Sequence, residues 1–214
     1  MSREHKGKAW IAPPKLFRAE KALYFPNLVG GTLVPPLKEE RDTTDVLANP
    51  SAGVVSVVAV FSSVWGEGQV KTFMDHPDIV KVLAMNRGNA QRVDINIEQN
   101  RLKAFILNFF LPSLRKRFPL DQHGKYFIVR RGVTDKIRKQ VGLMNNRLGY
   151  VYLLDSKARI RWAASGLATD EERDVLVKGI KRLVDVGTEE DTIPTSGRKH
   201  EKMSSEPVGQ MAHS

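Results

Sequence analysis

The side chains able to do chemistry in this 214-residue sequence are few. Cysteine is absent, which excludes thiol nucleophiles, dithiol exchange, disulfide scaffolds and Cys-ligated zinc together. The five histidines are His5, His76, His123, His200 and His213. None stands in the H-x-x-x-H spacing that puts two imidazoles on one helix face, and none adjoins a carboxylate cluster, so no metal centre is expected. His76, within Asp75-His76-Pro77-Asp78, reads as a turn at a helix end. Ser62 and Ser63 follow an apolar run, but a hydroxyl attacks only with a base beside it, and no histidine lies near them before His76. Gly66-x-Gly68 is too little to cradle a phosphate, and neither a P-loop nor G-x-G-x-x-G is present. Asp42, Asp45, Asp170, Glu171 and Glu172 read as surface or capping carboxylates. No constellation supports catalysis, and no cofactor is expected.

Charge is more informative than chemistry. Lys plus Arg number 34 against 24 Asp plus Glu, a formal charge of +10. Residues 1–21 carry six basic and two acidic side chains, residues 115–139 nine and two, and residues 189–206 three and five. The first two blocks more than account for the excess. Such a balance suits an anionic partner, nucleic acid or a lipid surface, without choosing between them. The longest apolar stretches, 54–61 and 104–111, fall far short of the roughly 18 residues of a membrane span. The first thirty residues lack the apolar segment of a secretory signal.

The elements follow from periodicity. Residues 1–14, ending in Pro13-Pro14, read as an irregular basic lead-in. Leu16, Phe17, Ala19, Ala22 and Leu23 have helical spacing over 15–25. A short strand is predicted at 32–34 and a short helix at 42–47. Residues 54–61 are β-branched and almost continuously apolar, the pattern of a central strand covered on both faces. Residues 69–75 read as helix, and 93–98 alternate as a half-buried strand. Residues 101–117 predict a helix carrying Leu102, Phe105, Ile106, Phe109 and Leu114, which Pro112 should kink or end. A strand at 126–129 precedes a helix capped by Thr134, with Ile137 and Val141 inward. Residues 150–154 and 159–163 form a hairpin across Asp155-Ser156-Lys157-Ala158. Thr169 and Glu172 make a capping box for a helix bearing Leu176, Ile180, Leu183 and Val184. Beyond Gly187 the chain is polar, so 188–214 is expected to be a disordered tail.

Strands alternating with helices, then a hairpin and a final helix, give an α/β fold over 15–187. Its sheet is mixed, with helices on both faces, in a thioredoxin-like arrangement. There the reactive dithiol would follow the first central strand. Here Phe61-Ser62-Ser63-Val64-Trp65-Gly66-Glu67 occupies that place without sulfur, and Gly149 stands where a cis-proline usually precedes the hairpin. The fold is therefore expected to lack its redox cysteines and its thiol chemistry.

Three stretches carry a family resemblance. They are Leu16-Phe17-Arg18-Ala19-Glu20-Lys21-Ala22-Leu23-Tyr24-Phe25-Pro26-Asn27-Leu28; residues 57–69 with Phe61-Ser62-Ser63 and Trp65-Gly66-Glu67; and Gly142-Leu143-Met144-Asn145 with Gly149-Tyr150-Val151-Tyr152-Leu153-Leu154-Asp155 and Ile160-Arg161-Trp162-Ala163-Ala164-Ser165-Gly166. Together they resemble the mitochondrial ATPase complex subunit 10 family over about residues 15–184. The resemblance implies a non-catalytic chaperone that assembles the Fo sector of ATP synthase. It escorts newly made subunit a (subunit 6) and helps it join the c ring. It also implies a peripheral location on the matrix side of the inner membrane. No presequence is obvious ahead of the match, and the family supplies no site residue to carry over.

An escort of membrane helices needs apolar surface of its own. Phe109, Phe110 and Leu111 are candidates for a client or membrane surface, with Arg115, Lys116 and Arg117 meeting the anionic headgroups of the inner-membrane surface; the alternative is a helix sandwiched in the core. Phe17, Tyr24 and Phe25 either pack along a sheet edge or form a docking strip. Trp65 is a binding anchor if exposed and core if buried. Two other readings compete. A cysteine-less redoxin-like enzyme would need a polar pocket and a base near Ser62 and Ser63. A basic RNA- or ribosome-associated protein would need stacking aromatics in a basic groove. Aromatics are only 7% of the chain and sit mostly in apolar runs, so no nucleic-acid partner is expected.

Overall fold

A computed structural model describes residues 7–35, 44–45 and 53–191. Seven strands form one mixed sheet: β1 (Val29–Thr32), β2 (Thr44–Asp45), β3 (Val55–Phe61), β4 (Ala90–Ile97), β5 (Tyr126–Val129), β6 (Tyr150–Leu154) and β7 (Ile160–Ser165). Their order is β2-β1-β5-β4-β3-β6-β7. The middle three, β5, β4 and β3, are parallel, and the outer pairings are antiparallel. β3 forms where the apolar β-branched run predicts it, and all seven of its residues are buried.

Burial on both faces of β3 requires cover on both sides. The helices are α1 (Val64–Met74), α2 (Pro77–Met85), α3 (Arg101–Arg117), α4 (Leu120–His123), α5 (Asp135–Val141) and α6 (Asp170–Asp191). Val70 and Phe73 of α1, Ile79 and Val82 of α2, and Leu176, Ile180 and Leu183 of α6 pack with Val57, Ala59, Leu153 and Trp162 on one face. Phe73 and Trp162 meet edge to face at 6.2 Å; removing either ring would cost about 3–5 kcal/mol. On the other face Phe25, Leu28, Val141 and Leu143 cover Val58, Val60, Ile95 and Tyr152, with Ile137 of α5 alongside. The expected thioredoxin-like sheet with helices on both faces is thus present.

Local chemistry sets the helix ends. Thr134 Oγ1 accepts from Ile137 N at 3.3 Å, as its position predicts. Thr169 and Glu172 close the capping box reciprocally, at 3.0 and 3.3 Å.

Several expectations are corrected. Residues 15–25 are not a helix but hold only a 3-10 turn at Ala19–Lys21. Their backbone groups go instead to the outer edge of β7: Phe17 N donates to Arg161 O at 2.7 Å, Ile160 N to Leu23 O at 2.7 Å and Phe25 N to Ala158 O at 2.9 Å. The strand read at 32–34 lies at Val29–Thr32. Within 42–47 the described pair Thr44–Asp45 is strand, not helix; the rest lies outside the described residues. The turn read at Asp75-His76-Pro77-Asp78 does follow the end of α1, and a second helix, α2, opens there on Pro77 with His76 as the cap, because a proline in the first turn forfeits no intrahelical bond. β4 is longer than predicted and buried on both faces rather than half-buried. Pro112 does not end α3, which continues to Arg117; Leu111 and Leu114 on either side pack against the core and offset the lost donor. The final helix passes Gly187 and runs to Asp191, since one glycine costs a helix only about 1 kcal/mol. The first four residues of the expected tail are therefore helical, and 192–214 lie outside the described residues.

Of the lead-in, the described residues 7–14 hold no helix or strand, yet they are docked. Lys8 Nζ donates to both Glu172 carboxylate oxygens at 3.0 and 2.8 Å and to Ser165 O at 3.0 Å. Ser165 Oγ accepts from Ala9 N and Trp10 N, and Trp162 Nε1 donates to Pro13 O at 2.9 Å. Residues 7–25 form a strap along β7 that belongs to the folded unit.

Candidate functional site

The chain leaves β3 at Phe61 and enters α1 at Val64, so Ser62 and Ser63 occupy the turn where a thioredoxin-like enzyme keeps its sulfur. Both hydroxyls have structural duties. Ser62 Oγ donates to Asn146 O at 2.8 Å and Ser63 Oγ to Arg147 O at 3.2 Å. Ser63 Oγ also accepts from Gly66 N at 3.0 Å, capping α1. The partners in these bonds are main-chain groups, none of them a base that could take a hydroxyl proton. Gly149 N donates to the buried Gln69 Oε1 at 2.9 Å, which fixes α1 against the start of β6. The 145 loop is held in turn by Tyr150, whose hydroxyl accepts from Asn145 N at 2.8 Å and donates to Asn145 O at 3.1 Å.

This end of the sheet offers solvent three large apolar side chains beside the exposed Asn145, Asn146 and Arg147. Val64 is 87%, Trp65 67% and Met144 68% exposed. Trp65, Met144 and Leu148 line an open depression of about 610 Å³ together with Lys8, Asn145 and Arg147. Lys8 is tied to Glu172. Burial pushes the phenols of Tyr126, Tyr150 and Tyr152 above the ordinary tyrosine value, away from proton exchange. Among the described residues no group of three or more His, Asp or Glu is placed to hold a metal ion. The arrangement is suited to touching a partner.

The ten candidate partner-binding residues separate. Of them only Trp65 lines the depression. Phe17 is 41% and Tyr24 62% exposed along the strap, whereas Phe25 is 3% exposed and stacks edge-on with Tyr152 at 5.4 Å. Phe25 is therefore core and leaves the docking strip, because its backbone bond to Ala158 turns the ring inward. Phe109 and Phe110 of α3 are 71% and 57% exposed. Leu111 packs against the core, a correction to its placement with them. Arg115 Nε donates to Leu33 O at 2.7 Å, Lys116 is exposed and Arg117 lies 3.6 Å from Glu67. Val64 and Met144 were missed. Neither lies on a periodic apolar face, and only the meeting of the first turn of α1 with a distant loop brings Met144 beside Trp65.

A buried charge cluster lies deeper. Arg92 Nε and Nη2 grip Asp94 at 2.7 and 3.1 Å, Nη1 reaches Asp75 at 2.7 Å, and Gln122 Nε2 donates to Asp94 at 3.1 Å. Burial raises the Asp94 carboxyl above its ordinary value, against the pull of Arg92. This cluster joins α1, β4 and α4 and explains how alternating polar residues sit inside the sheet.

These features define a thioredoxin-like protein stripped of thiol chemistry. The same fold is seen in a secreted thiol-disulfide isomerase from Corynebacterium glutamicum (TM-score 0.51, 13% identity, covering 86% of this chain and 97% of that one). It is seen again in a structure described as thiol:disulfide interchange protein DsbE from Chlorobium tepidum (TM-score 0.50, 13% identity, 77% and 97%). The sequence identifies the family: residues 1–183 match the model of the ATP10 protein family, and the chain belongs to it. It is 33% identical over 184 residues to the Mitochondrial ATPase complex subunit ATP10 of Eremothecium gossypii, covering 84% of this chain and 65% of that protein. With the protein of the same name from Saccharomyces cerevisiae it shares 32% over 190 residues, covering 83% and 66%. The chain thus spans about two thirds of the length of these relatives.

Proposed function

We propose that this protein is a non-catalytic assembly factor of mitochondrial ATP synthase. It escorts newly made subunit a (subunit 6) of the Fo sector and delivers it to the c ring. It works peripherally at the matrix side of the inner membrane; among the described residues no helix is long and apolar enough to cross a membrane. Family membership supports the assembly role. The observation that carries the mode of action is the former thiol end of the sheet. Its two serines are engaged by backbone carbonyls, while Val64, Trp65 and Met144 stand in water beside an open depression. An apolar segment of a membrane protein awaiting its neighbours fits such a surface, and aromatic anchors of this kind dominate interfaces.

Affinity capture of the tagged protein from mitochondria translating their own proteins tests the reading. Enrichment of nascent subunit a, weakened by Trp65→Ala, is the expected result. Enrichment of ribosomal RNA in its place, or turnover of a thiol or peroxide substrate by purified protein, would overturn it.

A further inference from the structure

The described half of α3 presents two different faces. Leu114 is buried, and Leu111 and Phe118 pack against the core beside it. Leu111 and Leu114 recur at the i, i+3 spacing of one helix stripe, and Phe118 follows directly after the helix end. The other stripe carries Phe109 and Phe110, 71% and 57% exposed. Two turns further on, each at i+7, stand the exposed Lys116 and Arg117, so each cation falls on the same line as a phenylalanine. The carboxyl end of the helix is firmly held. Arg115 is bonded to Leu33 O at 2.7 Å, and His123 Nε2 lies 3.0 Å from the carbonyls of both Arg115 and Phe118. Phe109 and Phe110 are thus exposed ahead of an anchored helix end. In sequence, residues 99–120 hold Arg101, Lys103, Arg115, Lys116 and Arg117 and no carboxylate.

We propose that α3 is an interfacial helix that docks on an anionic bilayer surface. Phe109 and Phe110 enter the boundary between headgroups and acyl chains, and Lys116 meets lipid phosphates, with Arg117 adding the charge that Glu67 leaves uncompensated. This deepens the assembly reading, on which it rests for the presence of a membrane. An apolar polypeptide would be served by the phenylalanines alone. Lys116 is exposed beside them and Arg117, 55% exposed, shares its charge with Glu67 at 3.6 Å; this net positive charge favours an anionic partner, and one helix face reaches the depth of the headgroup boundary. Lipid contact through α3 leaves the Trp65 end open for the client.

Full-length protein floated with vesicles of phosphatidylcholine, with or without phosphatidylglycerol, tests the assignment. Flotation is expected only with the anionic vesicles and is expected to weaken in high salt. The double variant Phe109→Asp, Phe110→Asp should reduce the bound fraction about tenfold or more, and Lys116→Glu about tenfold. Both alter exposed side chains, so the thermal midpoint should not move. Equal flotation on neutral vesicles, no flotation at all, or undiminished flotation of either variant overturns the proposal. So does a double variant that keeps its vesicles but loses subunit a; α3 would then be the client surface. Intact flotation with no subunit a captured by the unmodified protein would instead remove the assembly role and leave the lipid site standing.

Discussion

Gly66 and Gly149 meet backbone to backbone: a Cβ on Gly149 would lie 2.3 Å from the Gly66 carbonyl oxygen and 2.6 Å from Val70 Cγ1. The first turn of α1 and the entry to β6 are thereby closed onto each other. No ligand chain can pass between them, and whatever this end of the sheet binds must lie on its rim.

That closure is directly measurable. Gly149→Ala should destabilise the protein by about 3 kcal/mol or more, because the nearest obstructing atom is the Gly66 carbonyl oxygen, which is backbone and cannot rotate away. Gly68→Ala, in the same helix with nothing within 4 Å of its Cβ, should stabilise by up to about 1 kcal/mol. Urea unfolding of the two variants should therefore give midpoints displaced in opposite directions.

Trp65→Ala separates surface from core. The ring is 67% exposed, so its loss should shift stability by no more than about 0.5 kcal/mol. If the ring anchors the client, capture of subunit a should fall by about tenfold or more. A stability loss as large as that of a core aromatic would contradict the exposure of this residue.

The Arg92–Asp94 pair is worth little as a pair and much when broken. Arg92→Met strands a buried carboxylate and should cost about 3–5 kcal/mol. Its pH signature has a defined sign. Because burial raises the Asp94 carboxyl in the fold, the folded protein holds that proton more tightly than the unfolded chain does. The contribution of Asp94 is full below the ordinary carboxyl value of about 4 and is lost as pH climbs through the raised folded value. Thermal midpoints of the native protein relative to Asp94→Asn should thus fall with rising pH across that window and then level off. A gap widening with pH would mean that the guanidinium, not burial, governs the site.

The strap depends on Lys8. Its ammonium and the Glu172 carboxylate are both largely removed from water, with side chains 11% and 8% exposed. Lys8→Met leaves Glu172 with the Thr169 amide alone and should cost about 3 kcal/mol. Limited proteolysis should then cut within residues 7–25 before it cuts the sheet.

Much of the fold was legible because local signals agreed with the global answer. The unbroken apolar run of β3, the Thr169–Glu172 box and the turn before β7 each admit one physical reading. The strap was not legible, since the helical spacing of Leu16 through Leu23 is real but loses to an edge strand offering backbone partners some 140 residues away in the chain. Arg92 and Asp94 misled for a related reason: alternation signals a wet face only when the polar groups have no partner inside. Of the candidate site, the solvent position of Trp65 and the burial of Phe25 depend on which loops meet, and periodicity carries no record of that. Met144 stayed hidden because its neighbour across the depression lies on another element.

The strap also fixes when this protein can finish folding. Lys8 and Glu172 are separated by 164 positions, so the amino end has no seat until the hairpin and the start of α6 exist. Closure is a late, long-range event, of the sort that slows a fold. Until it happens, β7 stands as a bare edge open to strand addition by other chains. A ribosome stall or a cut before residue 172 would therefore leave a nearly complete sheet with its most vulnerable border uncovered.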